Sequence, residues 1–471
     1  MNVKTGIINE SEIFKKINSS CDKNFQNDRN YIEEIFAKAK ELNGITPEQV
    51  LSLLQLKDND LIGELYNTAK EVKDTIYGKR IVLFAPLYIS NICYNECLYC
   101  AFRSSNTNLH RKKLSQKEII TETKHLINDG HKRLLLVAAE DNSEQGLDYM
   151  LESIASVYSV TTDKGSIRRI NVNMAPLSME GFKKLGECKI GTYQIFQETY
   201  HQETYKQNHL RGHKSNYQYR LQAMDRALAG GIHDLGMGIL FGLYDYRFEI
   251  LALLKHVEYL EKNFAVGPHT LSVPRIEPAF GSEVSMNPPY PVSDEIFKKI
   301  IAVLRLAVPY TGLILSTRES GTLRKDALDL GISQISAGSK TNPGGYTSNV
   351  EEKEEQFSLS DKRSILEVIK DIVSDGYIPS FCTGCYRMGR VGADFMELAK
   401  PGLIHKHCTP NAMFTFKEYL EDFADNDLKF RGEKVISEII ESNIMGESLT
   451  FKNNLKIKLQ EIANGTRDIY Y

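Results

Sequence analysis

From residue 81 onward, short apolar and often β-branched runs alternate with stretches whose apolar positions recur at helical spacing over a charged opposite face. The strand-like runs are Ile81–Ser90, Arg133–Ala139, Arg169–Met174, Thr192–Gln197, Asp234–Phe241, Thr270–Arg275, Gly312–Ser316 and Ile332–Ser336. Helical patterns fall between and after them, at about 116–129, 145–158, 178–187, 215–230, 246–263, 293–307, 320–329 and 362–375. Eight strands each followed by a helix predict an α/β fold closed as a (β/α)8 barrel over residues 76–378, with an open doubly wound sheet as the alternative. Ahead of it, residues 1–75 carry helix-period segments at Ile32–Glu41, Val50–Leu56 and Leu61–Val72, the second behind a Thr46-Pro47 start. They predict an N-terminal helical extension. Residues 379–471 predict a mainly helical C-terminal domain, with helices around 412–423 and 432–441. The stretch Lys340–Tyr346 with the charged run Glu351–Glu355 reads as a long surface excursion before the last barrel helix.

Composition narrows the class without naming a function. With 42% hydrophobic and 25% charged residues, the 471-residue chain has the make-up of a soluble globular protein. A formal charge of −3 gives no global field for nucleic acid or an anionic membrane. The basic cluster Arg111–Lys113 reads as a solvated face. Met1–Glu10 has no apolar leader core, and no run approaches the roughly 20 apolar residues of a membrane span, so a cytoplasmic protein is expected.

The cysteines change the picture. Six of the eight fall into two groups, Cys93/Cys97/Cys100 and Cys382/Cys385/Cys408, while Cys21 and Cys188 have no partner at ligand spacing and read as ordinary. The first group directly follows the first strand, which puts it on the C-terminal face where barrel active sites form. Three thiolates on a [4Fe–4S] cube leave one iron open, whereas a structural zinc would want a fourth ligand that the segment lacks. In the second group, Cys382 and Cys385 can share one cluster edge and Cys408 can return to it. The basic, glycine-containing Tyr386–Gly392 between them suits an anionic cluster. A Cys3His zinc site using His405 or His407 is the alternative there. Polar side chains recur at strand ends: Asn171, Asn173, Gln197, Glu198, Ser272, Arg275, Ser316 and Arg318. Each could organise a loop or touch a ligand, and an arginine fork fits a carboxylate well.

The CxxxCxxC segment, with Tyr99 just before its last cysteine, resembles the cluster motif of the radical S-adenosylmethionine superfamily. That resemblance implies that the open iron binds the amino and carboxylate groups of S-adenosylmethionine, whose S–C5′ bond is cleaved by an electron from the cluster. It implies an adenine contact for Tyr99 and a methionine-amine contact at Ala139-Glu140, where Ala139 departs from the usual glycine. Asn171, Asn173 and Glu198 join them as candidate cofactor contacts.

The second cysteine set in CTGCYRMGRVGADFMELAKPG, together with FQETYHQETY, DLGMGILFGLYDYRFE, VGPHTLSVPR, VPYTGLILSTRE and GTRDIY, resembles the tyrosine lyases that mature [FeFe]-hydrogenase, from about residue 75 to 471. The resemblance implies cleavage of the Cα–Cβ bond of L-tyrosine to p-cresol and dehydroglycine, and conversion of the latter to CO and cyanide on iron. It implies an auxiliary [4Fe–4S] cluster with a labile fifth iron, with [4Fe–5S] as a variant form, and His269 as a ligand to that iron. His269 precedes the sixth strand, at the barrel mouth opposite the first cysteine group. Ser272, Arg275, Ser316 and Arg318 become candidates for polar or carboxylate contacts with the substrate. His256 is expected to pack on its helix and His201 to support the substrate loop. The implied partners are L-tyrosine, free cysteine, a low-potential donor such as ferredoxin or flavodoxin, and other hydrogenase maturation proteins. Two rival functions stand beside this one: the 2-iminoacetate synthase of thiamine thiazole synthesis, and a non-enzymatic iron–sulfur carrier or scaffold.

Overall fold

The computed structural model describes residues 6–22, 28–141, 144–348, 354–442 and 448–471. Its centre is a sheet of β1 (Arg80–Ser90), β2 (Arg133–Ala138), β3 (Arg169–Asn173), β4 (Tyr193–Gln194), β5 (Leu235–Gly238), β6 (Thr270–Ser272), β7 (Gly312–Leu315), β8 (Gln334–Ser336) and β9 (Ile378–Ser380). Consecutive strands from β1 to β8 pair in parallel, and β8 returns to β1 with Gln334 opposite Val82, which closes the barrel. Every residue of β1 is buried, as a strand covered on both faces requires.

Helices wrap the sheet where the pattern placed them. Ser115, Ser178, Ser293, Ser320 and Ser364 each cap a barrel helix by accepting from a backbone N–H of its first turn. Each such cap contributes about 1 kcal/mol. The fourth barrel helix is broken into Tyr217–Leu221 and Ala223–Ala229. Several strands are shorter than the apolar runs: Thr192–Gln197 yields only Tyr193–Gln194, and Glu198, at φ 70°, returns as a single parallel bridge to Ile239.

Strand β9 was not anticipated, and it crosses the expected boundary between 378 and 379. Pro379 argues against a strand because it has no N–H to give, but β9 is an edge strand that pairs with β1 alone, where proline is tolerated. The excursion at 340–346 is a correction. Instead of lying on the surface, it folds inward over the barrel mouth: Tyr346 donates its hydroxyl to the Pro86 carbonyl at 2.7 Å, and its backbone N–H to Glu122 at 3.1 Å. Gly344, at φ 81°, provides the turn that lets Tyr346 insert. Part of the expected charged run, residues 351–353, lies outside the described residues.

Helices Glu10–Asp22, Arg29–Ala39, Pro47–Leu54 and Asn59–Tyr77 precede the barrel, the last packing on the barrel helix Asp294–Ala307. Helices Gly392–Ala399, His405–Asp422, Asn426–Glu441 and Leu449–Ala463 follow it. His405–Asp422 packs on both β9 and Asn59–Tyr77, so the two terminal regions meet at the N-terminal end of the barrel strands. Among the described residues no helix is long and apolar enough to cross a membrane.

Candidate functional site

The first cysteine loop leaves β1 at Ser90 and is braced along its length by backbone bonds to a second loop. Glu96 N–H donates to the Arg211 carbonyl and Leu98 N–H to that of Asn208, both at 3.0 Å. Arg111, expected on a solvated face, turns inward instead: its guanidinium donates to the carbonyls of Asn91, Phe102 and Arg103 at 2.6–2.8 Å and ties the two ends of the loop together. Cys97 is buried, and Cys93 and Cys100 are half-buried on the wall of one cavity. Burial, with Glu140 beside it, pushes the Cys93 thiol up to about 11, and burial raises Cys97 as well.

Strand alternation decides what else faces this cavity. Phe84, Pro86 and Tyr88 point inward from β1, and Ala139, Glu140, Asn173, Glu198, Ser272, Ser316 and Arg318 arrive from successive strand ends. Gly238 leaves room, since a Cβ there would lie 2.6 Å from the Phe196 ring. Tyr99 lines the cavity with its hydroxyl 2.8 Å from His209 Nε2. Glu140 accepts from Arg220 at 2.7 Å and Asn95 at 2.8 Å. Burial would raise this carboxyl, but Arg220 and Lys214 outweigh it and hold it below its ordinary value. Glu198 pairs with Lys214 at 2.7 Å.

Three of the expected residues, Arg275, Asn171 and Gln197, do not line the cavity. Arg275 is engaged by Glu319 and, at 2.8 Å, by Asp294. Asn171 lies one inward layer below Asn173 and accepts from Arg169 at 3.4 Å. Residues that sequence reasoning passed over take their places: Lys214, Arg220, Glu277 and Gln356 all line the cavity. Gln356 also reaches Tyr88 at 2.7 Å and the Cys100 sulfur at 3.7 Å. Lys214 sits in the 3-10 turn His213–Ser215 and Arg220 on the helix Tyr217–Leu221, both between the fourth and fifth strands, and no local spacing marks them. His201 caps helix Gln202–Asn208 and stacks on Tyr244 at 3.8 Å, while His256 is buried against the Tyr200 hydroxyl at 3.0 Å.

The second cysteine group forms at the other end of the barrel. Cys382 follows β9 in the left-handed region at φ 49°, and Arg169 at the start of β3 approaches its sulfur at 3.8 Å. Cys408 beside it, with Arg390 and Arg80, holds the Cys385 thiol below its ordinary range against the effect of burial. Asn411 holds the Cys385 sulfur at 3.8 Å. His269 lies at this end too, its Nδ1 3.5 Å from Asp234 and, among the described residues, without a hydrogen bond, its ring 4.2 Å from that of Phe395. Asp234 in turn meets Arg169 at 3.5 Å. Arg387 forks onto Asp468 at 2.7 and 2.8 Å, tying the GTRDIY segment to the cysteine segment. The side chain of Cys21 falls outside the described residues, and Cys188 is a half-buried free thiol.

The donor chemistry fits iron–sulfur clusters at both ends. Three thiols share one wall of the upper cavity. At the lower end, among the described residues, buried Arg80 and Arg133 each leave Nε and one terminal nitrogen without a partner beside the cysteines, which suits an anionic group. Among the described residues no three Cys, His, Asp or Glu side chains gather around one point as a single metal ion requires. A cube takes each thiolate at its own iron corner.

Comparison with known proteins agrees with this geometry. The model of the radical SAM superfamily matches residues 87–257, and that of the biotin and thiamin synthesis associated domain matches residues 272–378. The 2-iminoacetate synthase of Escherichia coli strain K12 is 30% identical over 343 residues, which cover 73% of this chain and 88% of that protein. HydG from Carboxydothermus hydrogenoformans, an FeFe-hydrogenase maturase, superposes with a TM-score of 0.81 at 40% identity over 97% of this chain and 100% of that one. A further crystal structure of HydG, a maturase of the [FeFe]-hydrogenase, superposes with a TM-score of 0.93 at 48% identity over 99% of this chain and 100% of its own. A barrel with an S-adenosylmethionine and iron–sulfur site at its C-terminal mouth, matched end to end at this level, places the chain in the HydG family of the radical SAM superfamily.

Proposed function

We propose that this chain is a radical S-adenosylmethionine tyrosine lyase that splits the Cα–Cβ bond of L-tyrosine into p-cresol and dehydroglycine and turns the latter into CO and cyanide on iron, for assembly of the [FeFe]-hydrogenase H-cluster. The observation that carries it is extent: likeness to HydG runs over 99% of the chain, whereas likeness to 2-iminoacetate synthase reaches 73%. Three units divide the work, with residues 1–75 as support, 76–378 for cleavage and 379–471 for the later chemistry.

When bound, the upper [4Fe–4S] cluster and S-adenosylmethionine supply the radical, and an auxiliary [4Fe–4S] cluster with a labile fifth iron, or its [4Fe–5S] form, supplies the iron that takes up the products. The chain's own residues do the rest. Cys93, Cys97 and Cys100 hold the first cluster, and Cys382, Cys385 and Cys408 the second. Glu140, kept as a carboxylate by Arg220 and Asn95, receives the methionine ammonium beside the Ala139 backbone. Tyr99, fixed by His209, faces the adenine. Arg318 has no ion pair among the described residues and takes the tyrosine carboxylate, with the Ser316 and Ser272 hydroxyls nearby, while Arg275 supports the wall through Glu319. His269, oriented by Asp234, binds the labile iron. Free cysteine, ferredoxin or flavodoxin, and the other maturation proteins complete the partners.

The test separates the two halves of the function. A Cys382→Ser/Cys385→Ser variant should still form 5′-deoxyadenosine and p-cresol by chromatography, yet show no iron-bound CO or cyanide in the infrared spectrum of the same reaction. Normal iron-bound CO and cyanide in that variant would sink the distinguishing half. Loss of cyanide chemistry in the wild type, with p-cresol retained, would favour the 2-iminoacetate synthase reading.

A further inference from the structure

Six charged side chains line the upper cavity: Glu140, Glu198, Lys214, Arg220, Glu277 and Arg318. Four of them neutralise one another through Glu140–Arg220 at 2.7 Å and Glu198–Lys214 at 2.7 Å. The other two do not. Among the described residues, Glu277 and Arg318 make no ion pair within 4.0 Å, and Glu277 has no hydrogen bond at all. They are nevertheless neighbours, each within electrostatic reach of the other.

Separate scaffolds keep them apart. Arg318 lies flat over the Phe357 ring at 3.4 Å and donates to the Arg275 carbonyl at 3.4 Å. Glu277 is fixed between Ile276, whose N–H donates to the Phe241 carbonyl at 2.9 Å, and Pro278, whose carbonyl accepts from Ser358 at 2.8 Å. Nearby cations and carboxylates are already taken, Arg275 by Glu319 and Asp294. A half-buried carboxyl and guanidinium held close but unjoined are costly unless a ligand completes both. An α-amino acid presents an ammonium and a carboxylate from one carbon.

We infer that Glu277 and Arg318 together bracket the zwitterion of the substrate, Glu277 accepting from the ammonium while Arg318 donates to the carboxylate. This rests on the tyrosine-lyase reading and adds to it a positioning residue that fixes which way the amino acid faces. Protonation follows the same geometry. Burial and the neighbouring Glu319 push the Glu277 carboxyl up to about 7, with Asp294 adding to the rise and Arg318 and Arg275 opposing it. The ammonium partner is therefore lost as pH falls through about 7, and ligand affinity with it.

The experiment is equilibrium binding to anaerobically reconstituted full-length protein with S-adenosylmethionine present, using three probes: L-tyrosine, tyramine (no carboxylate) and 3-(4-hydroxyphenyl)propionate (no ammonium). Glu277→Gln should weaken L-tyrosine and tyramine by about ten- to hundredfold, the range of a charged hydrogen bond, and leave the propionate unchanged. Arg318→Gln should weaken L-tyrosine and the propionate and spare tyramine. Glu277→Asp should recover part of the loss, and the fall in L-tyrosine affinity below pH 7 should vanish in Glu277→Gln. Equal loss of all three probes in Glu277→Gln would put this residue at the phenolic end or in the fold, and overturn the bracket. Unchanged L-tyrosine binding would overturn it as well. Wild-type protein that binds no L-tyrosine would overturn the lyase reading first.

Discussion

At the upper mouth of the barrel, Cys93, Cys97 and Cys100 come from one continuous loop, braced by backbone bonds and by Arg111. At the lower mouth, Cys382 and Cys385 leave β9, and Cys408 returns from the first turn of helix His405–Asp422. The charge differs as sharply. Upstairs four of the six charged groups cancel in two ion pairs; downstairs, among the described residues, Arg80 and Arg133 keep unpartnered nitrogens and Arg169 leans on Cys382. A loop that reads as a motif is local and nearly neutral, whereas a site assembled by the fold draws its character from distant strands. The lower mouth, with its unpartnered arginine nitrogens, is the more cationic of the two.

The largest effect should come from breaking the upper loop. A Cys93→Ser/Cys97→Ser/Cys100→Ser variant should lose S-adenosylmethionine cleavage and p-cresol completely, while iron and sulfide analysis shows the other cluster still present. Retained cleavage would erase the division between the mouths. Next, the two strand-end arginines should part company. Arg318→Lys should weaken L-tyrosine binding by about tenfold or more with S-adenosylmethionine binding intact, because a point charge replaces a fork. Arg275→Lys should leave that affinity alone and lower stability by about 1–3 kcal/mol in denaturant titration, because it disturbs the buried Glu319. A smaller loss should follow Arg80→Gln: faster release of the lower cluster to a chelator, with the upper cluster's release rate unchanged. The smallest belongs to Gln356→Ala. Its amide points at the Cys100 sulfur, and hydrogen bonds to cluster sulfur favour the reduced state, so a redox titration should find the upper cluster slightly harder to reduce.

What the sequence made legible follows the same division. The eight strands, their helices and the upper loop rest on periodicity and close spacing, which one stretch of chain carries by itself. The lower site depended on resemblance, because nothing near Cys382 announces that Cys408 will return to it or that Arg80 and Arg169 will face it. Alternation hides these arginines as well: each begins a strand and would read as solvated until the barrel closes around it. Pro379 masked β9 by obeying a rule that edge strands relax. Lys340–Tyr346 read as surface because glycines and polar residues usually are, yet the turn is buried at Thr341–Gly345 and delivers the half-buried Tyr346 to the Pro86 carbonyl. Arg275 and Arg318, equal by position, are told apart by Glu319 and Asp294, which engage the first.

One strand has a consequence for electrons. β1 pairs with β9 at Arg80–Val82, beside the lower cysteines, and at Ser90 it feeds the upper ones. At about 3.3 Å per residue its length is roughly 33 Å, a span too wide for direct tunnelling between cofactors held at its two ends. Such cofactors would not share electrons directly, so each would need its own reductant and could rest at its own potential.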